Sequence, residues 1–144
     1  MVDDEPLVRQ SLKMLLEHDG HEVCAVDSGE AALEQFAQLA QRKFDLVITD
    51  FSMPGMHGDE LITRIREINP AQPIVMVTAF VEEYKVFGKA SGNVDALLLK
   101  HFSFTELRET IEQVLTLEQP EQPSDLLPSA SAMSTPDFIS PREP

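Results

Sequence analysis

Five residues of this chain combine side-chain chemistry with positions that suit joint work: Asp3, Asp4, Asp50, Thr78 and Lys100. Asp50 is the most informative of them. It closes the run Phe44-Asp-Leu-Val-Ile-Thr-Asp50, after which the chain breaks into a loop containing Met53-Pro-Gly-Met-His-Gly58. An Asp at the carboxyl end of a buried strand, beside a Pro/Gly turn, stands where open α/β sheets bind ligands. A carboxylate there is unfavourable unless a cation or hydrogen-bond donors meet it. Asp3 and Asp4 follow Val2, Thr78 follows the run Ile74 to Val77, and Lys100 follows Ala96 to Leu99. Parallel strands put all these ends on one edge of a sheet. Three converging carboxylates repel, and a hard divalent cation with oxygen ligands resolves the conflict. Mg²⁺ suits the set, since it takes one or two carboxylates, keeps waters and shares a phosphoryl oxygen. A carboxylate nucleophile, a cation, a Lys and a hydroxyl together suit an aspartyl-phosphate.

The elements that must position these groups are legible in the hydrophobic pattern. Pro6 to His18 carries Leu7, Val8, Leu12, Leu15 and Leu16 at helical spacing, with Pro6 in the first turn. Asp19-Gly20 stops that helix, and Val23 to Val26 reads as a strand. Asp27 or Ser28 can cap a second helix whose inner face is Ala31, Ala32, Leu33, Phe36 and Leu39. The strand Phe44 to Thr49 follows, then a helix from about Asp59 to Ile68 with Leu61, Ile62, Ile65 and Ile68 inward. Ile74 to Val77 is short and apolar enough for a strand buried on both faces. Val81 to Ala90 predicts a weaker helix, because Gly88 costs it roughly 1 kcal/mol against Ala. Ala96 to Leu99 is another buried strand, and Ser103 with Glu106 forms a capping box for a last helix bearing Leu107, Ile111, Val114 and Leu115. Helices alternating with buried strands predict an α/β fold, a parallel sheet covered on both sides.

The totals are consistent with one domain and a tail. The chain has 144 residues, 42% of them hydrophobic, and no apolar run approaching the ~18 residues of a membrane span. No basic stretch followed by an apolar segment suggests a secretory signal. The single Cys24 excludes an internal disulfide and a Cys-based zinc site, and fits a reducing, cytoplasmic setting. A formal charge of −14 argues against direct nucleic-acid binding, which needs clustered Lys and Arg. From Glu118 onward six of the ten prolines mix with Ser, Gln and acidic residues, so 118–144 reads as a disordered tail or linker after a domain spanning 1–117.

The set Val2-Asp-Asp-Glu-Pro6, Thr49-Asp50-Phe-Ser-Met-Pro-Gly-Met-His-Gly58, Val77-Thr78-Ala79 and Leu99-Lys100, in this order and spacing, resembles the receiver domain of two-component response regulators over about residues 1–117. The resemblance implies a flavodoxin-like, doubly wound, five-stranded parallel sheet of order 2-1-3-4-5. It implies that Asp50 accepts a phosphoryl group from a sensor histidine kinase or phosphotransfer protein. Asp3, Asp4, Asp50 and the backbone carbonyl of Ser52 would hold Mg²⁺, Thr78 would close on the phosphoryl group, and Lys100 would pair with it. Such domains are phosphoacceptors with an autophosphatase activity rather than enzymes acting on separate substrates. The side chains of Ser52 and Phe80 stand where the family varies its hydrolysis rate. Phosphorylation shifts the face built from the family's fourth helix, fifth strand and fifth helix, which signals to an output domain or downstream protein.

Departures from the pattern set further expectations. Only Met1 and Val2 precede Asp3, so the first strand is truncated, as for a chain that starts late within a longer protein. Leu97 replaces an aromatic residue, His101 replaces the proline after the Lys, and Asn93-Val94 replaces Gly-Ala. These changes favour, as the alternative, a degenerate receiver-like module that binds proteins without switching. A metal-dependent phosphatase with an Asp nucleophile would need a second Asp two residues on, where Ser52 stands. Glu5 reads as an acidic helix start, His57 as a solvated side chain, Cys24 as a core residue of the second strand, and Met53 and Met56 as loop packing.

Overall fold

The structure, a computed structural model, describes residues 1–38, 43–79, 82, 85 and 94–117. The expected helix Val81 to Ala90, apart from Glu82 and Lys85, lies outside the described residues, as do Leu39, Phe80, Asn93 and the 118–144 tail. Three parallel strands form the sheet: β1 (Val47–Asp50), β2 (Ile74–Thr78) and β3 (Ala96–Leu99), in the order β1-β2-β3. Val47 pairs with Ile74, and Val75 with Ala96. Two further segments extend the sheet by single bridges, Val2 to Thr49 and Val2 to Val26. The Val2 N–H donates to the Ile48 carbonyl (2.8 Å) and the Asp50 N–H to the Val2 carbonyl (2.9 Å), while Asp3 N–H donates to the Val26 carbonyl (3.2 Å). Across the sheet the order is therefore Val26, Val2, β1, β2, β3. The first two strands of a five-stranded doubly wound sheet are present as one-residue contacts.

Alternation along the strands sorts side chains onto two cores, as a sheet covered on both faces requires. On one face Val47, Ile74 and Met76 pack with Ala32 of α2 (Gly29–Gln38) and Leu61, Ile62 and Ile65 of α3 (Gly58–Ile68). On the other, Ile48, Val75, Val77 and Leu98 pack with Leu12 and Leu16 of α1 (Pro6–His18) and Leu107, Ile111 and Val114 of α4 (Phe104–Leu117). Every residue of β1 and β2 is buried.

Local signals set the helix ends. Pro6 occupies the first turn of α1. Ser28 Oγ accepts from the Ala31 N–H (3.2 Å) ahead of α2. At α4 the capping box closes in both directions: Ser103 Oγ accepts from Glu106 N–H (3.2 Å), and a Glu106 carboxylate oxygen accepts from Ser103 N–H (2.7 Å). At α3 the N-cap is His57, whose backbone is extended but whose side chain makes no capping hydrogen bond. A His57→Ser variant is therefore expected to gain about 1 kcal/mol in urea denaturation. No gain would mean that the first-turn amides of α3 already have equivalent partners.

Asp95 ties the near ends of two strands together. Its Oδ2 accepts from Ile74 N–H (2.7 Å) and from Arg66 Nη2 (3.0 Å), and its own N–H donates to the Ile74 carbonyl (2.9 Å). The buried Gln72 is likewise satisfied, its Nε2 donating to the Phe44 carbonyl (2.9 Å).

Some expected inward residues face water instead. Leu7 is 78% exposed and Ile68 58% exposed, and Leu15 is also exposed. Each has the right helical angle, but Leu7 lies in the first turn of α1 and Ile68 in the last turn of α3, where the helix outruns the core. The expected strand Val23 to Val26 keeps only its Val26 bridge. Cys24 is half-buried rather than a core residue, with Sγ 3.7 Å from Gln35 Oε1.

Candidate functional site: a lysine-bridged carboxylate pocket

The strand ends converge as parallel pairing requires. Asp50 ends β1, Thr78 ends β2, Lys100 follows β3, and Asp3 follows the Val2 bridge, all on one edge of the sheet. The Lys100 N–H donates to the Thr78 carbonyl (2.8 Å), which anchors the turn that carries the lysine. His101, the next residue, holds φ +81°, a left-handed conformation that a residue with a Cβ adopts at a cost of about 1–2 kcal/mol. No cis peptide occurs among the described residues, and the Lys100–His101 bond is trans.

Lys100 is the hub. Its Nζ lies 3.0 Å from Asp50 Oδ2, 3.0 Å from Glu5 Oε1 and 3.5 Å from Asp3 Oδ2. Carboxylate oxygens of Asp3, Glu5 and Asp50 all lie within 4.8 Å of one another, close enough to share one cation. Asp3 and Asp50 are buried, at 2% and 4% exposure, and the Glu5 side chain is 59% exposed. Asp3 Oδ1 also accepts from the Glu5 N–H (2.8 Å), and the Arg9 guanidinium donates to the Asp3 carbonyl (2.8 Å).

Thr78 is buried one residue beyond Val77, the strand partner of Asp50. Asp4 is half-buried beside Asp3 and does not belong to the group of three. Ser52 is exposed in the loop after Asp50. Glu5 is the member that the sequence pattern assigns elsewhere. It stands at the N-cap of α1 without a side-chain cap, and its carboxylate turns to Lys100. A contact across 95 positions leaves no local signal. The nearest clue is its place two residues after Asp3.

Electrostatics set the charge state of the pocket. Burial pushes the Asp3 carboxyl above the ordinary carboxylate value, and the Glu5 amide and Lys100 offset part of that rise. Burial likewise raises Asp50, partly offset by the Lys100 hydrogen bond and charge, while the Asp3 charge adds to the rise. Burial alone would lower the Lys100 ammonium, but hydrogen bonds to Glu5 and Asp50 and the nearby carboxylates outweigh it and hold it above its usual value. Two buried carboxylates held close together beside a lysine form an oxygen donor set that a hard dication fits.

A carboxyl raised in the folded state binds its proton more tightly there than in the unfolded chain. Its stabilisation is full below the ordinary carboxylate pKa and is lost as pH rises through the raised value. Asp50→Asn removes that contribution for one group. In urea denaturation its stability relative to the parent is expected to increase as pH rises above the ordinary carboxylate range of about 4. A difference that stays constant over that rise would mean that Asp50 titrates normally.

A cavity of about 340 Å³ lies away from this cluster. It flanks Met1 between Val23 and Leu46, floored by Leu16, Ile111 and Leu115. None of the five residues singled out in the sequence lines it.

Residues 1–112 match the family model described as the response regulator receiver domain. The transcriptional regulatory protein ZraR of Salmonella typhimurium is 37% identical over 133 residues, covering 92% of this chain and 29% of that protein. The sensor histidine kinase AruS of Pseudomonas aeruginosa is 35% identical over 120 residues, covering 81% of this chain and 12% of that protein. This chain thus spans a minor part of the length of either relative. The crystal structure of the response regulator TrrA from Thermotoga maritima, in complex with Mg²⁺ and BeF, superposes with a TM-score of 0.69 at 35% identity, covering 78% of this chain and 94% of that one. Among the described residues no helix is long and apolar enough to cross a membrane. The chain adopts the flavodoxin-like receiver fold, and it belongs to the receiver domain family of two-component response regulators.

Proposed function

We propose that residues 1–117 act as a Mg²⁺-dependent phosphoacceptor in a two-component relay, with 118–144 as a tail or linker. The observation that carries this reading is the pair of buried carboxylates, Asp3 and Asp50, bridged by Lys100 at the carboxyl edge of the sheet. An Asp50 carboxylate oxygen attacks the phosphorus of a phospho-His on a sensor kinase or phosphotransfer protein. The O–P bond forms as the N–P bond breaks, and the imidazole leaves with the electron pair. Asp3, Asp4, Asp50 and the Ser52 carbonyl are the groups that would hold Mg²⁺, whose charge offsets that of the phosphoryl oxygens when bound. Lys100 exchanges carboxylate partners for a phosphoryl oxygen, and the Thr78 hydroxyl donates to another. Water attack on the acyl phosphate then returns the free carboxylate, an autophosphatase step.

The test is incubation with acetyl phosphate, with and without Mg²⁺, read by intact-protein mass. One base-labile phosphoryl group is expected, and only with the metal. No incorporation would remove the phosphoacceptor reading. The Mg²⁺–BeF complex of TrrA supports the choice of metal.

A second reading, a receiver-like module that binds partners without switching, is favoured by Leu97. This half-buried aliphatic residue packs against the α2/α3 core, where the family resemblance expects an aromatic side chain. Under the first reading the signal passes to an output domain or downstream protein; under the second, the same surface binds its partner regardless of Asp50.

A further inference from the structure

We infer that Glu5 is a positioning residue that draws the Lys100 ammonium off Asp50 when a divalent cation enters the pocket. The inference rests on the Mg²⁺ reading above. Lys100 has three N–H donors and three carboxylate neighbours: Asp50 and Glu5 at 3.0 Å each, and Asp3 at 3.5 Å. Two of those partners, Asp3 and Asp50, are buried, and Glu5 opens to solvent. The ammonium therefore hangs between the interior of the pocket and its mouth. A dication approaching Asp3 and Asp50 meets that ammonium as a like charge within a few ångströms, where repulsion in a partly buried site is strong. Without an outer partner, the lysine would have to leave its anions for water as the cation entered.

Glu5 supplies the outer partner. Its backbone is tied to the pocket, because its N–H donates to Asp3 Oδ1 at 2.8 Å, while its carboxylate reaches Lys100 from the solvent side. Its side chain makes no capping hydrogen bond to α1, so helix capping does not account for its orientation. With Lys100 leaning on Glu5, the oxygens of Asp3 and Asp50 become available while the ammonium stays paired and close enough to meet a phosphoryl oxygen.

A double-mutant cycle on the full chain tests this, read by calorimetric Mg²⁺ titration of the parent, Glu5→Gln, Lys100→Gln and the double variant. Thermal denaturation confirms that each is folded, and Lys100→Met, which keeps the buried stem, replaces Lys100→Gln if that variant does not fold. Glu5→Gln is expected to weaken Mg²⁺ binding on the order of fivefold when Lys100 is present, and by less than about twofold when it is absent. Equal losses in both backgrounds would overturn the inference, because Glu5 would then act on the cation directly. No loss with Lys100 present would overturn it as well. A parent chain with no saturable Mg²⁺ binding would instead remove the metal reading itself, which separates the two failures.

Discussion

Asp50→Asn is expected to abolish phosphoryl uptake from acetyl phosphate and Mg²⁺, with incorporation at background by intact mass while the parent gains one group. The amide keeps the shape of the carboxylate and its place at the end of β1, so packing is preserved. It lacks the anionic oxygen that attacks phosphorus, and nucleophilic catalysis cannot proceed without it. Fully retained uptake would place the acceptor elsewhere and leave Asp50 as a structural partner of Lys100. Because loss of Asp50 relieves a buried, proton-favouring carboxyl, the inactive variant is also expected to be no less stable than the parent near neutral pH. That pairing separates lost chemistry from lost fold.

Gly58→Ala is expected to have the largest effect on stability, a loss of about 3 kcal/mol in urea denaturation. A Cβ at position 58 would run into the Asp50 carbonyl oxygen and lie 2.9 Å from the Phe51 Cα. Both obstacles are backbone atoms, which cannot turn aside as a flexible side chain can. The close approach is held by the Gly58 N–H, which donates to the Phe51 carbonyl at 2.8 Å. Moving α3 away would strip contacts from Leu61, Ile62 and Ile65, all fully buried. Moving β1 would shift Asp50, so phosphoryl uptake is expected to slow as well, since a displacement of about 1 Å can cost ~100-fold in rate. A variant as stable as the parent would show that the loop from Phe51 to His57 absorbs the strain.

How much of this is legible in the sequence depends on the range of each interaction. The capping box at Ser103 and Glu106 lies within one turn, and it forms as the residue types require. The strands at Val47–Asp50, Ile74–Thr78 and Ala96–Leu99 are visible as short apolar runs, because burial on both faces leaves no polar positions between. Parallel pairing puts Asp3, Asp50 and Lys100 on one edge of the sheet, and the long Lys100 side chain reaches past the end of β2 to meet both carboxylates. Val23 to Val26 takes its expected place beside Val2 but is reduced to one bridge at Val26, because a strand needs a partner and Val2 offers a single pairing position. Glu5 is hidden by distance along the chain, since no periodicity reports a contact with Lys100.

Asp95 has a consequence at the far side of the sheet. Its carboxylate and amide hold Ile74 from both directions, and four strand residues later the chain reaches Lys100. A slip of one position between β2 and β3 would turn Leu98 out of its core and bring a different side chain to the pocket. Asp95 therefore works like the index mark on a ruler: alignment set at one margin determines which residue is read out at the other.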